Sequence, residues 1–170
     1  ASGRSLNLAG MLTSAVLLAV PITLGAFSGL LSERAGVINI AIEGMMLMGA
    51  MVGALVGSIT GNGWIGLLGA ILSSVILAGI HAVLSIKYQI NQVVSGTVIN
   101  IFSAGMTAFI SQKFLQTNPA LNNPSLFPRI PIPLLSHIPI LGPIFFNTNL
   151  FVYIMFFLLI VIQVALFSTR

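Results

Sequence analysis

Two runs of residues in this chain have the types and spacing to handle a polar molecule. The fuller one is Gln92, Gly96, Asn100, Ser103, Thr107 and Ser111, at steps of four, four, three, four and four. On a helix that spacing places all six on one face over about 19 residues, at roughly 1.5 Å rise each. Amides and hydroxyls donate and accept hydrogen bonds without net charge, so such a face suits the passage of a polar, uncharged solute. The same groups also join membrane helices to one another, at about 0.6 kcal/mol per hydrogen bond. Ser103, Thr107 and Ser111 fit that use equally well, whereas Gln92 and Asn100 are costlier to bury.

The shorter run is Gly36, Asn39 and Glu43, each about one helical turn from the next. Glu43 stands in the stretch "NIAIEGMMLMGA", among residues that belong in oil. An ionisable group near the centre of a bilayer costs about 2.5–3.5 kcal/mol on insertion scales, so Glu43 is expected to face protein or a water-filled path rather than lipid. Three roles are open to it: a buried structural carboxylate, a group touching solute, or a proton-coupling site. Arg34 lies roughly 13 Å away along an ideal helix and cannot pair with it unless the helix breaks between them. Glu33 and Arg34 read as an interfacial terminus. Beyond Glu43 the same helix carries Gly49, Gly53, Gly57 and Gly61 at intervals of four, a small-residue ridge against which another helix can pack closely.

Bond-making chemistry finds no support. The chain has two carboxylates and no cysteine, and it carries no GxSxG, no HExxH and no glycine-rich phosphate loop with its lysine. Thiolate and Cys-based metal sites are excluded. No metal or cofactor is indicated: His137 has no companion ligands, and His81, inside an apolar stretch, is read as satisfied by a neighbouring backbone or side chain. Six basic residues, for a net charge of +4, are too scattered to track a nucleic acid.

The elements that must position these residues are membrane helices. Of 170 residues, 57% are hydrophobic and 5% charged, with a mean hydropathy of +1.11, which leaves too little polar surface for a globule in water. Five stretches are long enough to span a bilayer, at about 8–31, 36–59, 64–86, 90–111 and 149–167. The first carries Pro21, which kinks or opens a helix. The second and third meet at "TGNGW" and form a hairpin. Residues 112–148 hold seven of the eight prolines and are expected as an extramembrane loop packed on the membrane surface or on a partner. The expected fold class is all-α: one polytopic transmembrane domain over residues 1–170, with broken or kinked helices. Lys and Arg do not orient it: Arg34, Lys87 and Arg170 fall on one side, Arg4, Lys113 and Arg129 on the other. Five spans and an end directly after one suggest a piece of a longer protein.

Two stretches carry a resemblance. "SERAGVINIAIEGMMLMGA", with Glu33, Arg34, Gly36, Asn39, Glu43 and Gly44, and "NQVVSGTVINIFSAGMTAFIS", with Gln92, Val93, Gly96 and Asn100, are similar to the permease subunits of bacterial ABC importers for branched-chain amino acids and simple sugars. Within that class the likeness is nearest to the nucleoside permeases, and the proline-rich segment shares it. The resemblance implies a multi-pass protein of the bacterial plasma membrane, without enzyme activity of its own, whose partners are separate ABC ATPase subunits, a second permease subunit and an extracellular substrate-binding lipoprotein. It implies nucleosides as solutes, with simple sugars or branched-chain amino acids as alternatives and a non-transport membrane scaffold as the reading from another class. It also implies that a coupling helix and later spans follow, that residues near 34, 87 and 170 lie inside, and that the proline-rich loop lies outside. The solute pathway is then expected at Asn39, Glu43, Gln92, Gly96, Asn100, Ser103 and Thr107, with helix packing at Gly49, Gly53, Gly57 and Gly61.

Overall fold

The computed structural model describes residues 8–124, 126–131 and 145–167. Five helices are long and apolar enough to cross a membrane: α1 Leu8–Arg34, α2 Ile42–Thr60, α3 Gly63–Ala82, α4 Gln92–Ile110 and α5 Leu150–Phe167. The fold class is all-α, as the composition requires. Helices α3 and α4 continue through π-helical turns at Val83–Lys87 and Ser111–Leu115, so the fourth span runs four residues into the stretch read from sequence as loop. Pro21 lies inside α1 without ending it. His137, Arg4 and Arg170, and residues 132–144 of the proline-rich segment, lie outside the described residues.

The chain divides into two compact units. One combines the chain up to Phe27 with Phe127 onward. Its core is Val20, Val152 and Met155, flanked by Val16, Leu17, Leu24, Phe27 and Phe151, so apolar side chains of α1 and α5 pack against one another. Two short strands, β1 Arg129–Pro131 and β2 Asn147–Asn149, pair antiparallel with Ile130 opposite Thr148. This small ribbon is tied to α5 by the Tyr153 hydroxyl, which donates to the Ile130 carbonyl at 2.9 Å, and by an edge-on contact of Phe127 with Phe151 at 4.9 Å.

The other unit, Ser28–Leu126, contains the end of α1 and all of α2, α3 and α4. Its core is Ala41, Met45, Met48, Met51, Leu77 and Ile99. Helices α2 and α3 form the hairpin expected from "TGNGW": Gly61 closes α2 in the left-handed conformation at φ 64°, and the Asn62 side chain caps α3 by accepting from the Trp64 N–H at 2.9 Å. Along the hairpin the glycine ridge meets a second small-residue ridge. A Cβ on Gly49 would come within 2.6 Å of Ser74 Oγ, and one on Gly53 within 3.1 Å of the Ala70 Cβ. Gly57 faces the Gly66 Cα. Gly61 is a correction: a Cβ there would meet nothing within 4 Å, so it ends the helix and does not pack.

A second correction concerns the start of α2, placed from sequence near residue 36. The chain leaves α1 in a Schellman turn, with Val37 N–H bonding the Ser32 carbonyl at 2.9 Å and Gly36 N–H the Glu33 carbonyl at 3.0 Å. Gly36 sits at φ 83°, a conformation that costs an L side chain strain but glycine none. Arg34 stands in the last turn of α1, where a cation complements the helix dipole. Helix does not resume until Ile42. Gly36 and Asn39 therefore belong to an irregular connector, not to a helical face shared with Glu43.

Candidate functional site

An irregular stretch between two apolar helices must find partners for its backbone groups, because hydrocarbon offers none. Here they come from α4. Gln92 Oε1 accepts from the Ile38 N–H at 2.6 Å, and its Nε2 donates to the Gly36 carbonyl at 3.5 Å. Two turns further on, Asn100 Oδ1 accepts from the Gly44 N–H at 2.8 Å while its Nδ2 donates to the Ile40 carbonyl at 3.0 Å. Eight residues of α4 at about 1.5 Å each bridge these two amides, so the connector runs about 12 Å along that helix. Asn39 closes the gap locally, its Oδ1 accepting from the Ala41 N–H at 3.1 Å.

Two glycines make the approach close enough. A Cβ on Gly96 would lie 3.0 Å from the Ala41 nitrogen and the Ile40 Cβ, and one on Gly44 would lie 2.8 Å from Asn100 Oδ1 and 2.9 Å from the Asn100 Cα. α2 lacks a side-chain cap at Ala41, and Asn100, 56 positions away in sequence, accepts from one of its unpaired first-turn donors. The arrangement is a clamp: α4 holds the connector and the first turn of α2 with two side-chain amides and two bare glycines.

Each residue expected at the site has a definite place. Gln92, Gly96, Asn100, Ser103, Thr107 and Ser111 are all buried or half-buried within the unit, so the spacing does define one inward face of α4. Ser103 is wholly buried, and its hydroxyl, like that of Thr107, finds no hydrogen-bond partner among the described residues. Asn39 is half-buried against Met45, with its Nδ2 3.8 Å from the sulfur. Glu43 stands apart: it occupies the first turn of α2 on the exposed side of the unit, where a carboxylate also complements the helix dipole. His81 is 2% exposed and joins α3 to α4 through Nδ1, 3.1 Å from Ser95 Oγ, in line with the structural role expected of it. Among the described residues no group of His, Cys, Asp or Glu could hold a metal ion.

Sequence reasoning missed the backbone side of the site. Ile38, Ile40 and Gly44 contribute only N–H and C=O groups, which every residue has. The one available signal was Gly36 followed by Val37 after "SER", a helix-ending pattern.

Five membrane-crossing helices, with irregular backbone between two of them held by amides from another, define a multi-pass α-helical membrane protein. The chain belongs to the family described as "Branched-chain amino acid transport system / permease component", which matches residues 11–170. It is 37% identical over 145 residues to a putative glucose ABC transporter permease of Haloferax volcanii, covering 83% of this chain and 43% of that protein. It is 36% identical over 135 residues to a guanosine ABC transporter permease of Bacillus subtilis, covering 76% and 42%. A nucleoside ABC transporter permease of Lactococcus lactis is 31% identical over 159 residues, covering 88% and 49%. The chain thus spans less than half the length of these relatives. No solved structure matches it.

Proposed function

We propose that this chain forms part of the membrane permease of an ATP-driven importer whose solutes are nucleosides. The supporting observation is that two relatives named for guanosine and for nucleosides match 76% and 88% of the chain at 36% and 31% identity. In this reading the chain hydrolyses nothing itself. Separate ATPase subunits drive it, a second permease subunit completes it, and an extracellular substrate-binding lipoprotein delivers solute to the side of the proline-rich segment. Sugars are the second reading, favoured by the relative named for glucose, at 37% identity. Both solute classes are rich in hydroxyls and are matched by protein amides and hydroxyls, which suits a surface with few charges. An amino acid brings two charges and would need counter-charges or helix termini.

The solute route passes the clamp. Irregular backbone at membrane depth is tolerated where it is buried in protein or lines a water-filled cavity, and interrupted helices supply solute sites in transporters generally. On this proposal Asn39 and Glu43 face the solute, Gln92, Gly96 and Asn100 shape the connector and the first turn of α2 that carry them, and Ser103 and Thr107 continue the polar face inward. The test is uptake of a labelled purine nucleoside by cells with and without the permease gene, challenged with unlabelled ribose, glucose, leucine and pyrimidine nucleosides. Uptake lost on deletion and competed by nucleosides alone supports the reading. Competition by a sugar alone transfers it to the second, and uptake untouched by the deletion removes nucleoside import and returns sugars or amino acids to the front.

A further inference from the structure

Three polar side chains are gathered between α3 and α4 that the clamp does not use. His81 is 2% exposed, Ser95 4% and Ser85 8%, so all three are nine-tenths buried or more. The His81–Ser95 contact engages one ring nitrogen. The other, Nε2, has no hydrogen-bond partner among the described residues, and neither has Ser85 Oγ. Native proteins seldom leave such atoms dry.

Ser85 is the more telling of the two. Some hydroxyls on the helices of this chain close on their own backbone four residues back, as Ser14 to Gly10 at 3.0 Å, Thr60 to Val56 at 2.7 Å and Thr97 to Val93 at 2.9 Å, while Ser58, Ser103 and Thr107 find no partner among the described residues. Ser85 is among the unpartnered ones and sits in the π-helical turn Val83–Lys87, where the bonds lengthen by one residue and Tyr88 N–H reaches Val83 O at 3.2 Å. A π turn is wider than an α turn and is a common mark of a functional position. Four residues apart on one helical run, His81 and Ser85 share a face.

We propose that His81 Nε2 and Ser85 Oγ bracket a buried water molecule, so that Ser95, His81, the water and Ser85 form one hydrogen-bonded chain across the α3–α4 interface. Water suits the site better than an ion. Glu43, the one carboxylate on α2, is exposed, α4 carries no charged residue, and the Lys87 ammonium lies over the Tyr88 ring at 5.8 Å. An imidazole nitrogen and a hydroxyl give a water two of the two to four partners it needs, and water can either donate to Nε2 or accept from it. Ser95 immediately precedes Gly96, where a Cβ would lie 3.0 Å from the Ala41 nitrogen and the Ile40 Cβ, so the hydrated chain adjoins the clamped connector. The inference does not depend on which solute the protein carries.

Magic-angle-spinning NMR of the full-length protein, labelled with 15N-histidine in lipid bilayers, reads this directly through magnetisation transfer from water to imidazole nitrogens. The His81 signals are those that shift in Ser95→Ala. Transfer to Nε2 is expected in the unaltered protein. It should be largely lost in Ser85→Ala and kept in Ser85→Thr, which preserves the hydroxyl. No transfer to Nε2 in the unaltered protein, transfer unchanged in Ser85→Ala, or loss in both Ser85 variants would overturn the proposal.

Discussion

At the scale of single residues, Asn100 does most to hold the connector, because both ends of its amide are engaged, one with the first turn of α2 and one with the connector. Asn100→Ala would leave the Gly44 N–H and the Ile40 carbonyl without those partners. An unsatisfied group away from water costs about 1–3 kcal/mol, and thermal unfolding of the purified protein in detergent should show a loss of that size. Gln92 makes the same kind of pair at the exposed end of the connector, one of its bonds stretched to 3.5 Å. Water can replace it there, so Gln92→Ala should cost less, about 0.5–1.5 kcal/mol. A larger loss for Gln92→Ala than for Asn100→Ala would mean that the connector is held from its outer end and not by Asn100.

At the scale of elements, the glycines separate into those that permit contact and those that do not. A Cβ on Gly66 would lie 2.7 Å from the Gly53 carbonyl oxygen and 3.0 Å from the Gly57 Cα, whereas one on Gly79 would meet nothing within 4 Å. Both sit on α3. Gly66→Ala must push two backbones apart and is expected to destabilise by about 1–3 kcal/mol, while Gly79→Ala should be neutral or up to about 1 kcal/mol stabilising through helix propensity. Equal melting temperatures for the two variants would show that the hairpin is not as close as the geometry requires. This contrast also marks what the sequence discloses. The ridge of Gly49, Gly53 and Gly57 is legible because periodicity is local. Gly61 continues the same period and is misread by it, since the period does not say where the helix stops. The connector is misread for a related reason: Val37, Ile38 and Ile40 extend an apolar run without interruption, and apolarity records burial in lipid or protein rather than helicity. The polar face of α4 is legible as a face, but what Asn100 touches lies 56 positions away, and no spacing rule reports that.

At the scale of the whole molecule, the distribution of Lys and Arg gives no orientation, but the order of helices in the Ser28–Leu126 unit gives relative sidedness. Helices α2, α3 and α4, with their π-helical extensions, are three successive spans. The turn after α2 and the segment after Leu115 must therefore open on one face of the membrane, and the connector between α3 and α4 on the other. The chain has no cysteine, so an introduced thiol has no competitor within these 170 residues. Thr60, Ile90 and Gln116 are all exposed and none supplies a helix-capping side chain. A membrane-impermeant maleimide should label Thr60→Cys and Gln116→Cys from the same face and Ile90→Cys from the opposite one, so that one class reacts in intact cells and the other only after permeabilisation. If the importer reading holds, the face shared by Thr60 and Gln116 is the outer one, where solute arrives. Labelling of Thr60→Cys and Gln116→Cys from opposite faces would mean that one of these three helices does not cross. The clamp would then hold a re-entrant segment rather than the entrance to a span, and the solute route would have to be sought elsewhere.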